Sequence, residues 1–190
     1  MNKAVFLDRD GTINEEMGYI NHISRFRVFG FVPQAIKLLN DAGFKVLVVT
    51  NQSGVARGYF DEQLVGEVHE KLLKIIKQSN ARIDGIYYCP HHPKEGLGKY
   101  KKDCRCRKPK IGMIDLAAQE HEIDLSRSFM VGDRYKDVVF ARKAGLRPVF
   151  VKTGYGIGEL TYQHSTWKEE PVFIAEDLLS AARFIRDSKV

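Results

Sequence analysis

The chain has 190 residues, of which 44% are hydrophobic and 28% charged, with a formal net charge of +6. That length suits a single domain over residues 1–190 with one continuous core, and the composition excludes extended disorder. No apolar run reaches the roughly eighteen residues of a membrane span, and Met1-Asn2-Lys3 runs into a short strand instead of a signal h-region, so no membrane partner and a cytoplasmic location are expected.

Taken in chain order, short β-rich apolar runs at 4–7, 45–49, 86–88, 129–131, 148–151 and 172–174 predict strands. Helix-length segments with apolar spacing of three and four lie between most of them. Val32, Ala35, Ile36 and Leu39 mark the first, Leu64, Val68, Leu72, Ile75 and Ile76 another, and Leu178, Leu179, Ala182 and Ile185 the last. Alternation of this kind predicts an α/β fold, a doubly wound parallel sheet with helices on both faces. In such sheets ligands bind beyond the carboxyl ends of the strands. The polar residues of interest follow strand runs: Asp8 and Asp10 the first, Thr50-Asn51-Gln52-Ser53 the second, Cys89 the third and Gly132-Asp133 the fourth.

Asp8-Arg9-Asp10-Gly11-Thr12 sits directly behind the first apolar run. Carboxylates at i and i+2 of a strand end point to the same side, the geometry of a nucleophile paired with an acid/base. Gly11 permits a tight turn, and the Thr12 hydroxyl is expected to bond backbone and fix it.

The three cysteines all fall between Cys89 and Cys106, which suits metal binding better than a disulfide framework. Cys89-x-His91 and Cys104-x-Cys106 supply four ligands in two close pairs, as a tetrahedral structural zinc site requires, with His92 the rival to His91. Zinc would tie off the irregular stretch 89–109, which leads directly into Arg107-Lys108. Gly154-Tyr155-Gly156-Ile157-Gly158 lacks the spacing of a dinucleotide fingerprint and is read as a loop.

Positive charge suits an anionic partner, and basic residues cluster at 99–102 and 105–110. A zinc-containing nucleic-acid module is one reading of this. Aromatic residues are not interleaved with the basic run as stacking platforms would be, so nucleic acid is not the expected partner.

Asp8-x-Asp10-Gly11-Thr12, Thr50, Lys108 and Gly132-Asp133-x-x-x-Asp137, in that order, resemble the motifs of the haloacid dehalogenase superfamily of phosphohydrolases. The resemblance implies Asp8 as nucleophile, Asp10 as acid/base, and Thr50 and Lys108 as holders of the transferring phosphoryl group. It also implies Mg2+ bound by Asp8, the Asp10 backbone carbonyl and Asp133, with Asp137 acting through water or orienting a neighbour. Further segments, Gly18-Tyr19, Ser53-Gly54-Val55-Ala56-Arg57-Gly58 and Tyr87-Tyr88-Cys89-Pro90-His91-His92-Pro93, resemble the zinc-loop group of heptose bisphosphate and histidinol-phosphate phosphatases, the former more closely. That group implies His91 as the zinc ligand, no large cap domain, a monomer, and a small sugar phosphate as substrate. The C7 phosphate of a heptose bisphosphate is the expected target, with histidinol phosphate or another small sugar phosphate as the alternative. Carried over, it sets Arg9, Glu16, Met17, Gly18, Tyr19, Asn51, Gln52, Ser53, Arg57, Arg107 and Arg134 along the substrate.

Overall fold

The computed structural model, which describes residues 1–189, folds the alternating runs as alternating strands and helices. Strands β1 (Ala4–Leu7), β2 (Lys45–Asn51), β3 (Gly85–Cys89), β4 (Phe129–Gly132), β5 (Arg147–Val151) and β6 (Phe173–Ala175) form one parallel sheet among the described residues. Its order is β3-β2-β1-β4-β5-β6. The chain winds outward from β1 to β3 and then returns to the other side of β1. Strand order therefore reverses between β1 and β4, and a crevice opens there at the carboxyl ends.

The apolar runs show no alternation because both faces of the sheet are covered. In β1, Val5 and Leu7 pack into a cluster with α1 (Val32–Asp41), α2 (Glu62–Gln78) and α6 (Leu178–Asp187). Ala4 and Phe6 pack into the opposite cluster with α3 (Gly112–His121) and α4 (Tyr135–Lys143). All four of these β1 side chains are fully buried. Helix α2 starts where the Asp61 carboxylate accepts the Leu64 N–H at 2.9 Å, one of the orphan donors of a helix start. Its buried face carries Val65, Val68, Leu72, Ile76 and one polar residue, His69.

Some boundaries differ from the sequence expectation. β2 continues through Asn51, so Thr50 lies within the strand, and β6 is shifted by one residue. The glycine-rich stretch is a loop only in part, since α5 (Gly156–Tyr162) begins inside it. A Cβ on Gly156 would lie 2.1 Å from the Val151 carbonyl oxygen, so the helix start seats directly on the end of β5. Tertiary contact outweighs the poor helix propensity of glycine. Among the described residues no helix is long and apolar enough to cross a membrane.

Candidate active site

The chain turns at once beyond β1. The N–H groups of Thr12, Ile13 and Asn14 converge on the Arg9 carbonyl at 3.3, 2.8 and 3.2 Å. Gly11 has φ of 82°, and a Cβ there would lie 2.2 Å from Asp133 Oδ2, so only glycine fits between the turn and the end of β4. The expected role of the Thr12 hydroxyl is not seen: it is buried with no hydrogen-bond partner. Backbone bonds hold the turn instead, together with Thr153 Oγ1, which donates to the Gly11 carbonyl at 2.5 Å.

Asp8 accepts the Arg9 N–H at 2.8 Å and faces Lys108 Nζ at 2.9 Å. The Lys108 ammonium, fully buried, also donates to Asp137 Oδ1 at 2.7 Å. Burial disfavours the charge on Lys108, but Asp137 and Asp8 outweigh it and hold the pKa above the usual lysine range. Asn51, expected near the reacting phosphate, lines the cleft and also clamps this lysine. Its Oδ1 accepts the Lys108 N–H at 3.0 Å and its Nδ2 donates to the Lys108 carbonyl at 3.2 Å.

Asp10 faces a different set of partners. Arg9 Nη2 donates to both its oxygens at 3.0 and 2.9 Å, and Asn14 Nδ2 and Gln52 Nε2 add bonds of 2.9 and 2.8 Å. Gln52 Nε2 also donates to Thr50 Oγ1 at 2.8 Å. Burial pushes the Asp10 carboxyl up, yet the Arg9 charge and these bonds hold it below the usual carboxylate range.

Arg9 was expected along the substrate, but it is 1% exposed and does not line the cleft. Side chains alternate along an extended segment, so the residue between two inward-facing carboxylates is directed into the body of the protein. There Arg9 Nη1 lies 3.3 Å from Nε2 of His69. Burial and the Arg9 charge push His69 down to about 4, which keeps it neutral and able to accept from the guanidinium. Sequence reasoning missed His69. Its only signal was a polar residue on the apolar face of α2.

Asp8, Asp133 and Asp137 each offer a carboxylate oxygen, all within 4.8 Å of one another. Asp133 Oδ1 and Asp137 Oδ2 are buried with no hydrogen-bond partner. Unpaired buried carboxylate oxygens are costly unless a cation meets them, and hard oxygen donors suit Mg2+. Asp137 thus belongs to the same cluster as Asp8 and Asp133, closer in than the sequence expectation set it. The Asp10 carboxylate is turned to Arg9, which leaves its backbone carbonyl as the oxygen it can offer.

Burial, Asp8 and Asp137 raise the Asp133 carboxyl to about 8. Below that pH the metal-free site holds a proton that a cation must displace. Affinity for Mg2+ is therefore expected to rise with pH, by up to about tenfold per unit, and to flatten above about 8. Calorimetric titration of metal-free protein at several pH values between 6 and 9 checks this, and a flat affinity across the lower part of that range would refute it.

Cys89, at the end of β3, meets Cys104 and Cys106 at Sγ separations of 3.3 and 3.2 Å, and Cys104 lies 3.1 Å from Cys106. His91 Nδ1 is 3.7 Å from Cys89 Sγ and 3.5 Å from Cys106 Sγ. All three cysteines are free thiols, so four donors converge on one point with no disulfide among them. Three sulfurs and one imidazole nitrogen fit a closed tetrahedral zinc site. His92 is otherwise engaged. Its Nδ1 accepts the Glu95 and Lys94 N–H groups at 2.9 and 3.3 Å, capping its own turn.

The Cys/His loop is wired to the rest of the site. Arg107 Nη1 donates to the His91 carbonyl at 2.9 Å, and the Leu97 N–H to the Ala56 carbonyl at 3.2 Å. Arg57 pairs with Glu95. The hydroxyls of Tyr88 and Tyr100 both donate to Glu62, at 2.6 Å each.

Over this floor lies a cleft of about 290 Å³. Asp8, Asp10, Thr50, Glu16, Gly18, Tyr19, Asn51, Ser53, Arg57, Arg107 and Arg134 all line it. Gln52 sits behind Asp10 with Arg9, and Met17 borders an adjoining surface hollow instead. Three further residues were missed: Lys136 and Tyr155, which line the cleft, and Glu159, which is buried beside it. Glu159 accepts from Arg134 Nε at 2.9 Å and from the Tyr135 N–H at 2.5 Å. Arg134 lies with its guanidinium carbon 4.3 Å from the Tyr155 ring centroid, and the Tyr155 N–H donates to Asp133 Oδ2 at 2.9 Å. The signal for Tyr155 was its place just beyond a strand end.

A parallel sheet with paired carboxylates, a buried lysine and an acidic cluster at its switch point defines a phosphohydrolase site of the haloacid dehalogenase type. A family model described as HAD-hydrolase-like matches residues 105–181. The D-glycero-beta-D-manno-heptose-1,7-bisphosphate 7-phosphatase of Haemophilus ducreyi is 46% identical over 157 residues, 82% of this chain and 86% of the relative. The enzyme of that name from Pasteurella multocida is 40% identical over the whole of both chains. The crystal structure of D,D-heptose 1,7-bisphosphate phosphatase from B. bronchiseptica, complexed with magnesium and phosphate, superposes with a TM-score of 0.84 at 33% identity, covering 96% of this chain and 97% of that one. The chain belongs to the D-glycero-D-manno-heptose-1,7-bisphosphate 7-phosphatase family.

Proposed function

We propose that this chain hydrolyses the C7 phosphate of D-glycero-D-manno-heptose 1,7-bisphosphate and releases heptose 1-phosphate. One observation carries the reading beyond family membership. Above the reacting floor, four cations, Arg57, Arg107, Arg134 and Lys136, line the cleft against the single rim carboxylate of Glu16. A rim so cationic suits a substrate with a second anionic group beyond the ester that reacts.

In this reading an Asp8 oxygen attacks phosphorus and forms an aspartyl phosphate, while Asp10 gives a proton to the leaving C7 oxygen. Asp10 then takes a proton from the water that cleaves the aspartyl phosphate and releases inorganic phosphate. Arg9 holds Asp10 ionised in the resting site, the form the second step needs. For the first step, the negative phosphate arriving beside Asp10 raises its proton affinity. Lys108 and Thr50 hold the transferring group, and Asn51 fixes the lysine backbone. Asp8, Asp133, Asp137 and the Asp10 carbonyl would hold Mg2+, which would supply charge neutralisation between carboxylate and phosphate. Cys89, His91, Cys104 and Cys106 would hold Zn2+ in a structural role, with no ligand position left open. The groups named all lie in one chain, which fits a monomer built as a single domain without a large cap.

Phosphate release from the α and β heptose bisphosphates, beside histidinol phosphate, tests the reading. The heptose bisphosphate is expected to turn over fastest, with phosphorus NMR showing loss of the C7 signal. Asp8→Asn is expected to lower kcat by at least about 1,000-fold, as loss of a covalent nucleophile does. Its folding is expected to survive, because one of three mutually repelling buried carboxylates is neutralised. Faster turnover of histidinol phosphate would sink the reading.

A further inference from the structure

The four rim cations are not equivalent. Arg57 pairs with Glu95, Arg134 with Glu159 while lying on the Tyr155 ring, and Arg107 donates to the His91 carbonyl. Each is tethered and serves partly as wall. Lys136 is half-buried in the same cleft, yet its side chain makes no ion pair or hydrogen bond with any of the described residues. A lysine carries three donors on a flexible stem, and one held at a cleft without a protein partner is free to meet a ligand anion.

Its position says which anion. Lys136 lies in the first turn of α4, three residues beyond Asp133, and lines the cleft together with Glu16 and the three arginines. Its charge is felt by Asp8 and Asp133 below and by Glu16 on the rim. The floor already has its own buried cation, Lys108, engaged with Asp8 and Asp137. A phosphate reacting at Asp8 is served by Lys108, whereas a second anionic group toward Glu16 has a carboxylate for a neighbour and needs an uncommitted cation.

We propose that Lys136 is a specificity-determining residue that grips the second, unreacting phosphate of the substrate. The proposal rests on the bisphosphate reading above. A charge-assisted bond formed equally in ground and transition states lowers KM without changing kcat. Lys136 thus selects a bisphosphate over a monophosphate with the same scissile ester.

The test compares heptose 1,7-bisphosphate with heptose 7-phosphate in the wild-type protein, Lys136→Met and Lys136→Arg. For the bisphosphate, Lys136→Met is expected to raise KM by about 10- to 100-fold with kcat within about threefold, as loss of a hydrogen bond between charged groups does. For the 7-phosphate, kcat/KM is expected to change less than about threefold, and Lys136→Arg to restore most of the bisphosphate KM. Competitive inhibition by inorganic phosphate, which occupies the floor, should be unaltered in both variants. An equal loss on both substrates would overturn the proposal by putting Lys136 on the reacting phosphate. So would no loss on either. A wild-type protein that prefers histidinol phosphate would instead overturn the bisphosphate reading and this proposal with it.

Discussion

Lys108→Met is expected to abolish measurable turnover and to destabilise the fold by about 3–5 kcal/mol in the presence of a chelator, the usual cost of breaking a buried ion pair. Lys108 is fully buried between Asp8 and Asp137, at 2.9 and 2.7 Å. Its removal leaves two carboxylates in a dry site that already holds Asp133. For a chain of this size the loss corresponds to a fall in Tm of about 6–20 °C. Mg2+ should recover part of that stability, since it meets the same carboxylates, while activity stays lost because the cation facing Asp8 is missing. The double variant Lys108→Met/Asp137→Asn should likewise regain stability but not turnover. Thermal unfolding with and without Mg2+, run beside a phosphate-release assay, separates the two effects. Unchanged stability in chelator would contradict the burial argument.

Cys104→Ser is expected to lose zinc and to slow turnover by about 100-fold while the sheet stays folded, since a misplacement of about 1 Å at a reacting group can have that effect. The loop between β3 and α3 contributes only Cys104, Cys106 and Ile111 to the cluster around α3 and α4. Most of its other ties to the rest of the protein are polar, through Glu62, Ala56, Arg57 and Asn51. Without the metal those ties must carry the entropy of a long loop alone. Lys108 lies in the last part of this loop, so disorder in it passes directly to the buried ammonium. The Asn51 clamp at 3.0 and 3.2 Å limits the damage, which is why the expectation is a large loss and not a complete one. Metal analysis should show no zinc, and hydrogen exchange should rise over 93–103 with little change in β1, β2 and β4. Full kcat in zinc-free protein would refute the coupling.

The motifs legible in the sequence were those whose chemistry is local. Asp8 and Asp10 are two residues apart on a strand end, Asp133 and Asp137 are one turn apart, and the cysteines and His91 form two short-spaced pairs. In each case the chain's own covalent spacing brings the groups near one another. Residues whose role depends on a distant partner were read less well. Arg9 sits inside the motif yet turns away to His69, 60 positions on. Asn51 reads as a phosphate neighbour, but its amide is also spent on the backbone of Lys108, 57 positions away. Thr12 belongs to the motif although its hydroxyl bonds nothing in the protein. Gly154-Tyr155-Gly156-Ile157-Gly158 looked like a plain loop because nothing in five residues reveals that Gly154 and Gly11 both press on Asp133.

By itself the sequence determined the alternation of strands and helices, hence a parallel doubly wound sheet, because hydrophobic period and burial on both faces are written residue by residue. It also determined that the polar motif residues follow the carboxyl ends of the strands, and it supplied the candidates for carrying a phosphoryl group, a proton or a metal. Only the tertiary structure decided which way those side chains face. The separation of Asp8, facing Lys108, from Asp10, held in part by Gln52, depends on groups that covalent spacing does not bring together. So do the inclusion of Asp137 in the acidic cluster and the unpaired state of Lys136 on the rim. Charges in a low-dielectric site act over a few ångströms of space, whatever the length of chain between them.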